Sequence, residues 1–148
     1  MRAAATVGAM GMMSDAERDA FLGERRVGVL AMGRDGAAPL LAPIWYLYEP
    51  GGAFRIYMSG SSAKARRLRA EGRASICVQA EDRPYRYVTA DGPVTVEPLG
   101  EATHDALREM ASRYLGEAAG AKYADSYSPP DEVVVTLVPQ RWRAESIG

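Results

Sequence analysis

Apolar residues recur along this chain mainly with a period of two. Phe54, Ile56 and Met58 alternate with Arg55, Tyr57 and Ser59, the pattern of a strand with one buried face. Ala74, Ile76 and Val78 alternate with Ser75, Cys77 and Gln79 in the same way. Residues 26–33 read as another strand, and Asp35-Gly36 supplies a hairpin turn into a strand over 40–48, where Pro43 marks an edge or a bulge. "PYRYVTADGPVTV" gives one long strand, broken near Gly92-Pro93. The unbroken apolar run "EVVVTLVP" gives a central one, which "QRWRAES" can extend.

Helical spacing appears in three places. Ser14 and Glu17 form an S-x-x-E capping box opening a short helix to about Glu24. Ser61 and Ser62 open a second helix that Gly72 stops. A third, over about 103–115, carries Leu107, Met110, Ala111, Tyr114 and Leu115 on one face and ends at Gly116. "GAKYADSYSPPD" reads as a loop, and its 123–130 stretch is placed to lid a site. Six to seven short strands joined mostly by hairpins, with about three helices, predict a mainly β fold: an antiparallel barrel with helices on its rim.

Composition narrows the partners. The 148 residues suit one domain, read as residues 14–148 behind a flexible leader over 1–13. A formal net charge of −1 provides no global field for nucleic acid or an anionic membrane, so any anion site must be local. No segment has the length and apolarity of a bilayer span. The single cysteine, Cys77, forms no intrachain disulfide and suits a cytoplasmic protein. His104 is the only histidine, which leaves nucleophilic triads without a base. No cluster of residues has metal-ligand spacing. A chain so poor in acids, bases and nucleophiles needs a cofactor to supply reactivity.

The charged positions hold one oddity. In "SGSSAKARRLR" the second helix begins with Lys64, Arg66 and Arg67, where the helix dipole disfavours cations. Ser59, Ser61 and Ser62 precede them with hydroxyls and amides. Together these groups compose a phosphate cradle; the other reading is a solvated cationic face. Trp45 alternates against Tyr46 and Tyr48, as core, interface or ligand-facing aromatics do. Tyr85, Arg86 and Tyr87 either stack on a planar anion or form an exposed strand.

The order of "APIWYLY", "SGSSAKARRLR", "RPYRYVTADGPVTV" and "VVVTLVPQRW" resembles the split β-barrel flavin-binding superfamily of pyridoxamine 5′-phosphate oxidase. Within it, the chain is most similar to small reductases that use the deazaflavin F420. The resemblance implies a homodimer with cofactor held in a groove between the two barrels. It assigns Ser59, Ser62 and Lys64 to the cofactor phosphate, and Arg66 and Arg67 to further polar contacts. Relatives often carry asparagine where this chain has Arg67. Pro43 and Trp45 are placed near the ring system, Gln79 at a polar contact, and Tyr85 and Arg86 at the cofactor of the opposite subunit. The implied activity is hydride transfer between deazaflavin and a planar unsaturated organic substrate. FMN is the alternative cofactor, and a non-catalytic cofactor carrier the alternative role. The surplus cations Arg66, Arg67 and Arg69 favour F420, whose oligoglutamate tail adds negative charge.

Overall fold

The computed structural model describes residues 10–127 and 131–148. Nine strands and four helices follow in the order β1 (Met10–Met12), α1 (Asp15–Leu22), β2 (Gly28–Met32), β3 (Leu40–Ile44), β4 (Leu47–Tyr48), β5 (Phe54–Ser59), α2 (Ala63–Glu71), β6 (Arg73–Ala80), β7 (Tyr85–Pro98), α3 (Glu101–Leu115), α4 (Glu117–Asp125), β8 (Glu132–Leu137) and β9 (Arg141–Ile147). All strand pairs are antiparallel. The fold is a mainly β split barrel.

Strand order is β3-β2-β6-β7-β8-β5-β4, with β9 beside β7 and β1 beside β9. The long strand β7 belongs to both halves. Its first part pairs with β6 and β9, and residues from Val94 onward pair with β8. Gly92 stands at the bend, against the backbone of Val138 and Gln140, where a side chain has no room. β9 continues β8 along β7 after a short break, as the apolar run and its polar tail predict. The two ends of the path, β3 and β4, are consecutive in the chain and separated only by Trp45 and Tyr46. The sheet therefore curls until its edges meet at that corner.

Two apolar clusters follow from alternation. Ile44, Tyr46, Tyr48, Phe54, Ile56, Met58, Val133, Val135 and Leu137 fill the barrel. The opposite faces of β5 and β8 carry Tyr57 and Val134, which pack with Leu99, Leu107, Met110 and Ala124 under the α3–α4 hairpin. Helices on the outer face thus explain why β8 is apolar without alternation.

Local signals account for the helices. Ser14 and Glu17 cap α1 reciprocally, at 3.1 and 2.9 Å. Ser62 caps α2 by accepting from the Ala65 amide at 3.1 Å, and Gly72 ends it at φ 68°. Ala65 and Leu68 turn inward and anchor α2.

The main path has seven strands, within the expected six to seven; among the described residues β9 and β1 are added beside it. Two expectations are corrected. The segment after Gly116 is helical over α4 before its loop begins, which gives four helices among the described residues rather than three. Within the stretch read as a leader, Met10–Met12 pairs with β9, Gly11 facing Ser146; residues 1–9 lie outside the described residues.

Candidate functional site

A groove of about 560 Å³ opens beside the corner where the sheet edges meet. Ser59, Ser62 and Lys64 line it at the start of α2, together with Pro43, Trp45 and Met58. Tyr57, Met110, Tyr123 and Tyr127 also line it.

The serines and the lysine are placed by α2 and its cap. Ser62 uses its hydroxyl twice, accepting from Ala65 and donating to the Ser59 carbonyl at 2.6 Å. The amides of Ala63 and Lys64, the first two of the helix, have no partner inside it. Lys64 lines the groove and makes no ion pair among the described residues. Ser59 and Ser61 share a hydrogen bond at 3.1 Å, with Ser61 itself exposed. Free helix amides, a serine hydroxyl and one ammonium are the donor set for a phosphate group.

The arginines do something else. Arg66 donates to the Ser61 carbonyl at 2.7 Å and Arg69 to the Gly60 carbonyl at 2.6 Å. Arg67 donates to the Gly33 carbonyl at 2.8 Å and pairs with Glu71 at 3.0 Å. These side chains fasten the 59–61 loop and the end of β2 to α2. None of the three lines the groove. The cations at the helix start are therefore mainly structural ties, with Lys64 the one that faces the groove.

Trp45 is fixed from the helical side. It stacks on Tyr114 with centroids 4.9 Å apart and planes 6° from parallel. Tyr114 in turn donates to the Arg26 carbonyl at 2.6 Å and accepts from the Tyr46 amide at 3.4 Å, which pins the corner. Tyr46 and Tyr48 point into the barrel, as alternation predicts. Tyr46 donates to the Leu22 carbonyl at 2.9 Å, Tyr48 to the Asp19 carboxylate at 2.5 Å.

The remaining candidates lie elsewhere on this chain. Gln79 is exposed on β6 near Cys77 and Glu81. Tyr85 is exposed at the start of β7, whereas Arg86 sits over the Phe21 ring at 4.8 Å and pairs with Glu24 at 3.3 Å. They share a smaller depression, of about 430 Å³, with Tyr87 and Glu145. Within one chain these residues do not meet the groove. Cys77 is half-buried, and burial raises its thiol pKa. His104 bonds the Ala124 carbonyl at 3.0 Å and stays outside the groove. Among the described residues no group of three or more histidine, cysteine or carboxylate side chains is placed to hold a metal. No described helix is long and apolar enough to cross a membrane.

The stretch 123–130 read as a lid supplies Tyr123 and Tyr127 to the groove, and its residues 128–130 lie outside the described residues; Tyr57 and Met110 are the lining residues that sequence reasoning missed. Tyr57 was counted on the polar face of its strand; α3 and α4 bury it. Its signal was the outward Val134 directly across from it in register, which calls for a covering layer. Tyr123 and Tyr127, a turn apart on and just after α4, are bonded through their hydroxyls at 2.8 Å.

Fold and groove together define a split barrel with an open groove at the corner where its sheet edges meet. The pyridoxamine 5′-phosphate oxidase family model matches residues 14–146, and the chain belongs to that family. Among solved structures, a conserved hypothetical protein from Mycobacterium tuberculosis is 26% identical over 96% of this chain and 88% of its own, with a TM-score of 0.78. An F420 reductase shares the fold at 23% identity and a TM-score of 0.67, covering 84% of this chain and 94% of that one. A heme-binding protein from Mycobacterium smegmatis is 28% identical, with a TM-score of 0.64, over 90% of this chain and 55% of that one. No curated protein sequence matches.

Proposed function

We propose that this chain is an oxidoreductase that holds F420 in the groove, phosphate against Ser59, Ser62 and Lys64 and ring system beside Pro43 and Trp45. The observation that carries this reading is Lys64, without an ion pair among the described residues, beside the free amides of α2 in a groove it shares with Trp45 and other aromatic side chains. Bound there, the deazaflavin supplies a hydride to a planar unsaturated organic substrate. The chain's own residues bind the phosphate, orient the ring against Trp45 and exclude water with Met58 and Met110.

FMN is the second reading. Arg66, Arg67 and Arg69 are committed to carbonyl oxygens rather than gathered for an oligoglutamate tail, which favours the cofactor without one.

Two copies pair, in this reading, through the outward face of β2 and β3. Val27, Val29 and Leu41 are exposed apolar residues there, adjoining Pro43. Pairing would bring the partner's Gln79, the partner's Tyr85 and the partner's Arg86 toward the groove and give those three side chains a role in the site.

Titration of purified protein with F420 and with FMN, followed by fluorescence, tests the assignment. Binding of either well below millimolar, corresponding to more than about 4 kcal/mol, is expected; failure of both refutes it. Oxidation of reduced cofactor by added conjugated carbonyl compounds separates an enzyme from a carrier, which binds without turnover.

A further inference from the structure

The orientation of Trp45, which lines the groove, is set from outside it. Its ring lies on Tyr114 with centroids 4.9 Å apart and planes 6° from parallel, an offset stack. Tyr123 packs against it at 5.5 Å with planes tilted by 49°. Tyr114 does not line the groove itself. Its hydroxyl donates to the Arg26 carbonyl at 2.6 Å and accepts from the Tyr46 amide at 3.4 Å. Arg113, the preceding residue, donates to the Gly23 and Glu24 carbonyls, each at 3.0 Å, and the Tyr46 hydroxyl donates to the Leu22 carbonyl at 2.9 Å. Carbonyls at and just beyond the end of α1 have no helical partner; the end of α3 and the β3–β4 corner supply the donors. A run of fixed contacts therefore leads from α1 through α3 to Trp45, whose rotamer is decided before any ligand arrives.

We propose that Tyr114 is a positioning residue: by stacking on Trp45 from outside the groove, it holds that ring as a preformed platform for a planar ligand ring. The inference rests on the proposed seat of the cofactor ring beside Trp45, and it adds the residue that prepares the seat. A tryptophan free to turn about its side-chain torsions loses that freedom when a ligand binds, which weakens binding by about two- to tenfold. With Tyr114 in place, folding has already met that loss. The stack and hydrogen bonds of Tyr114 go to Trp45, Arg26 and Tyr46, and none of these belongs to the serine–lysine set. Tyr114 therefore acts on ring binding and leaves any preference for phosphate untouched.

The test uses the full chain carrying Trp142→Phe, so that Trp45 is the sole tryptophan. Trp142 packs with Tyr48 and Phe54 and does not line the groove. Time-resolved fluorescence anisotropy without ligand reads the motion of Trp45. With Tyr114 intact, Trp45 should tumble with the whole molecule; in Tyr114→Leu a fast component should appear. Tyr114→Phe keeps the ring and should keep Trp45 still. Titrations with riboflavin and FMN, and with F420 and its phosphate-free riboside, then read binding. Tyr114→Leu should weaken both members of a pair by about two- to tenfold and leave the ratio between them at its native value, while Tyr114→Phe should bind as the native chain does. A fast-moving Trp45 beside an intact Tyr114, unchanged ring affinity in Tyr114→Leu, or a loss confined to the phosphorylated member would each overturn the proposal. Anisotropy of the chain with Tyr114 intact still tests it if Tyr114→Leu fails to fold. Failure of all four probes to bind, with Trp45 held still by Tyr114 and freed in Tyr114→Leu, would defeat the cofactor reading and leave the positioning of Trp45 standing.

Discussion

Lys64 and its neighbours show how one residue's setting decides its chemistry. Lys64→Ala removes a charge-assisted contact of about 1.5–3 kcal/mol, so binding of a phosphate-bearing cofactor should weaken about tenfold or more in titration, with the melting temperature little changed. Ser62→Ala should do both, because it deletes the α2 cap, worth about 1 kcal/mol, and releases the Ser59 carbonyl; denaturant unfolding checks the stability loss. The serines and the lysine were legible in the sequence, since capping and the helix dipole act over one turn. The arginines' work was not: their carbonyl partners at Gly33 and Gly60 are set by where β2 and the 59–61 loop pass α2. Alkaline pH adds a further test at this scale. Burial raises the pKa of Tyr57, and burial with the Asp19 hydrogen bond raises that of Tyr48, each from an ordinary 10 to about 12. The native state then holds these protons more tightly than the unfolded chain does. Their stabilisation is complete below pH 10 and is lost as the pH rises from 10 through 12. Unfolding curves across that window should show the fall, and Tyr48→Phe should make it shallower.

The α3–α4 hairpin is the element on which one wall of the groove depends. It places Tyr114 on Trp45, closes over Tyr57 and carries Tyr123. Its two helices meet closely where Gly120 lies against Ser112: a Cβ on Gly120 would stand 2.6 Å from the Ser112 Cα and amide nitrogen. Gly120→Ala should therefore force the helices apart, costing about 1–3 kcal/mol in chemical denaturation. Loss of tryptophan quenching by groove ligands should accompany it. The same glycine hid α4 from the sequence. Gly116, Gly120 and the downstream serines and prolines read as loop punctuation, whereas Gly120 serves close helix contact. The strands were more readable, because period-two alternation survives wherever one face is buried. It failed as a guide to exposure on β5, where helices cover the second face.

At the scale of the molecule, the sheet order explains where the groove forms. β3 and β4 are the two ends of one curled path, and the residues joining them present Trp45 outward and Tyr46 inward. The barrel, and a serine-capped helix following β5, were foreseeable from strand pattern and motif order. The position of Gln79, Tyr85 and Arg86 away from the groove was not, because strand patterns carry no information about which ends of a curled sheet meet. In the proposed pairing of two copies across the Leu41 face, the partner's copies of these residues would approach the groove. Leu41, 62% exposed, is a direct probe: Leu41→Glu should convert a species of twice 16.0 kDa to a single chain in light scattering and weaken cofactor binding. A native monomer would remove the partner's role.

The central claim is that α2 receives a phosphate through Lys64. The measurement closest to it compares F420 with the same deazaflavin riboside lacking phosphate and tail, each titrated into native protein and Lys64→Ala, and FMN with riboflavin in parallel. The account predicts that the native protein prefers the phosphorylated member of a pair by about tenfold or more, and that Lys64→Ala abolishes most of the preference while sparing the phosphate-free form. Equal affinity for both members, or a preference untouched by the substitution, would contradict it.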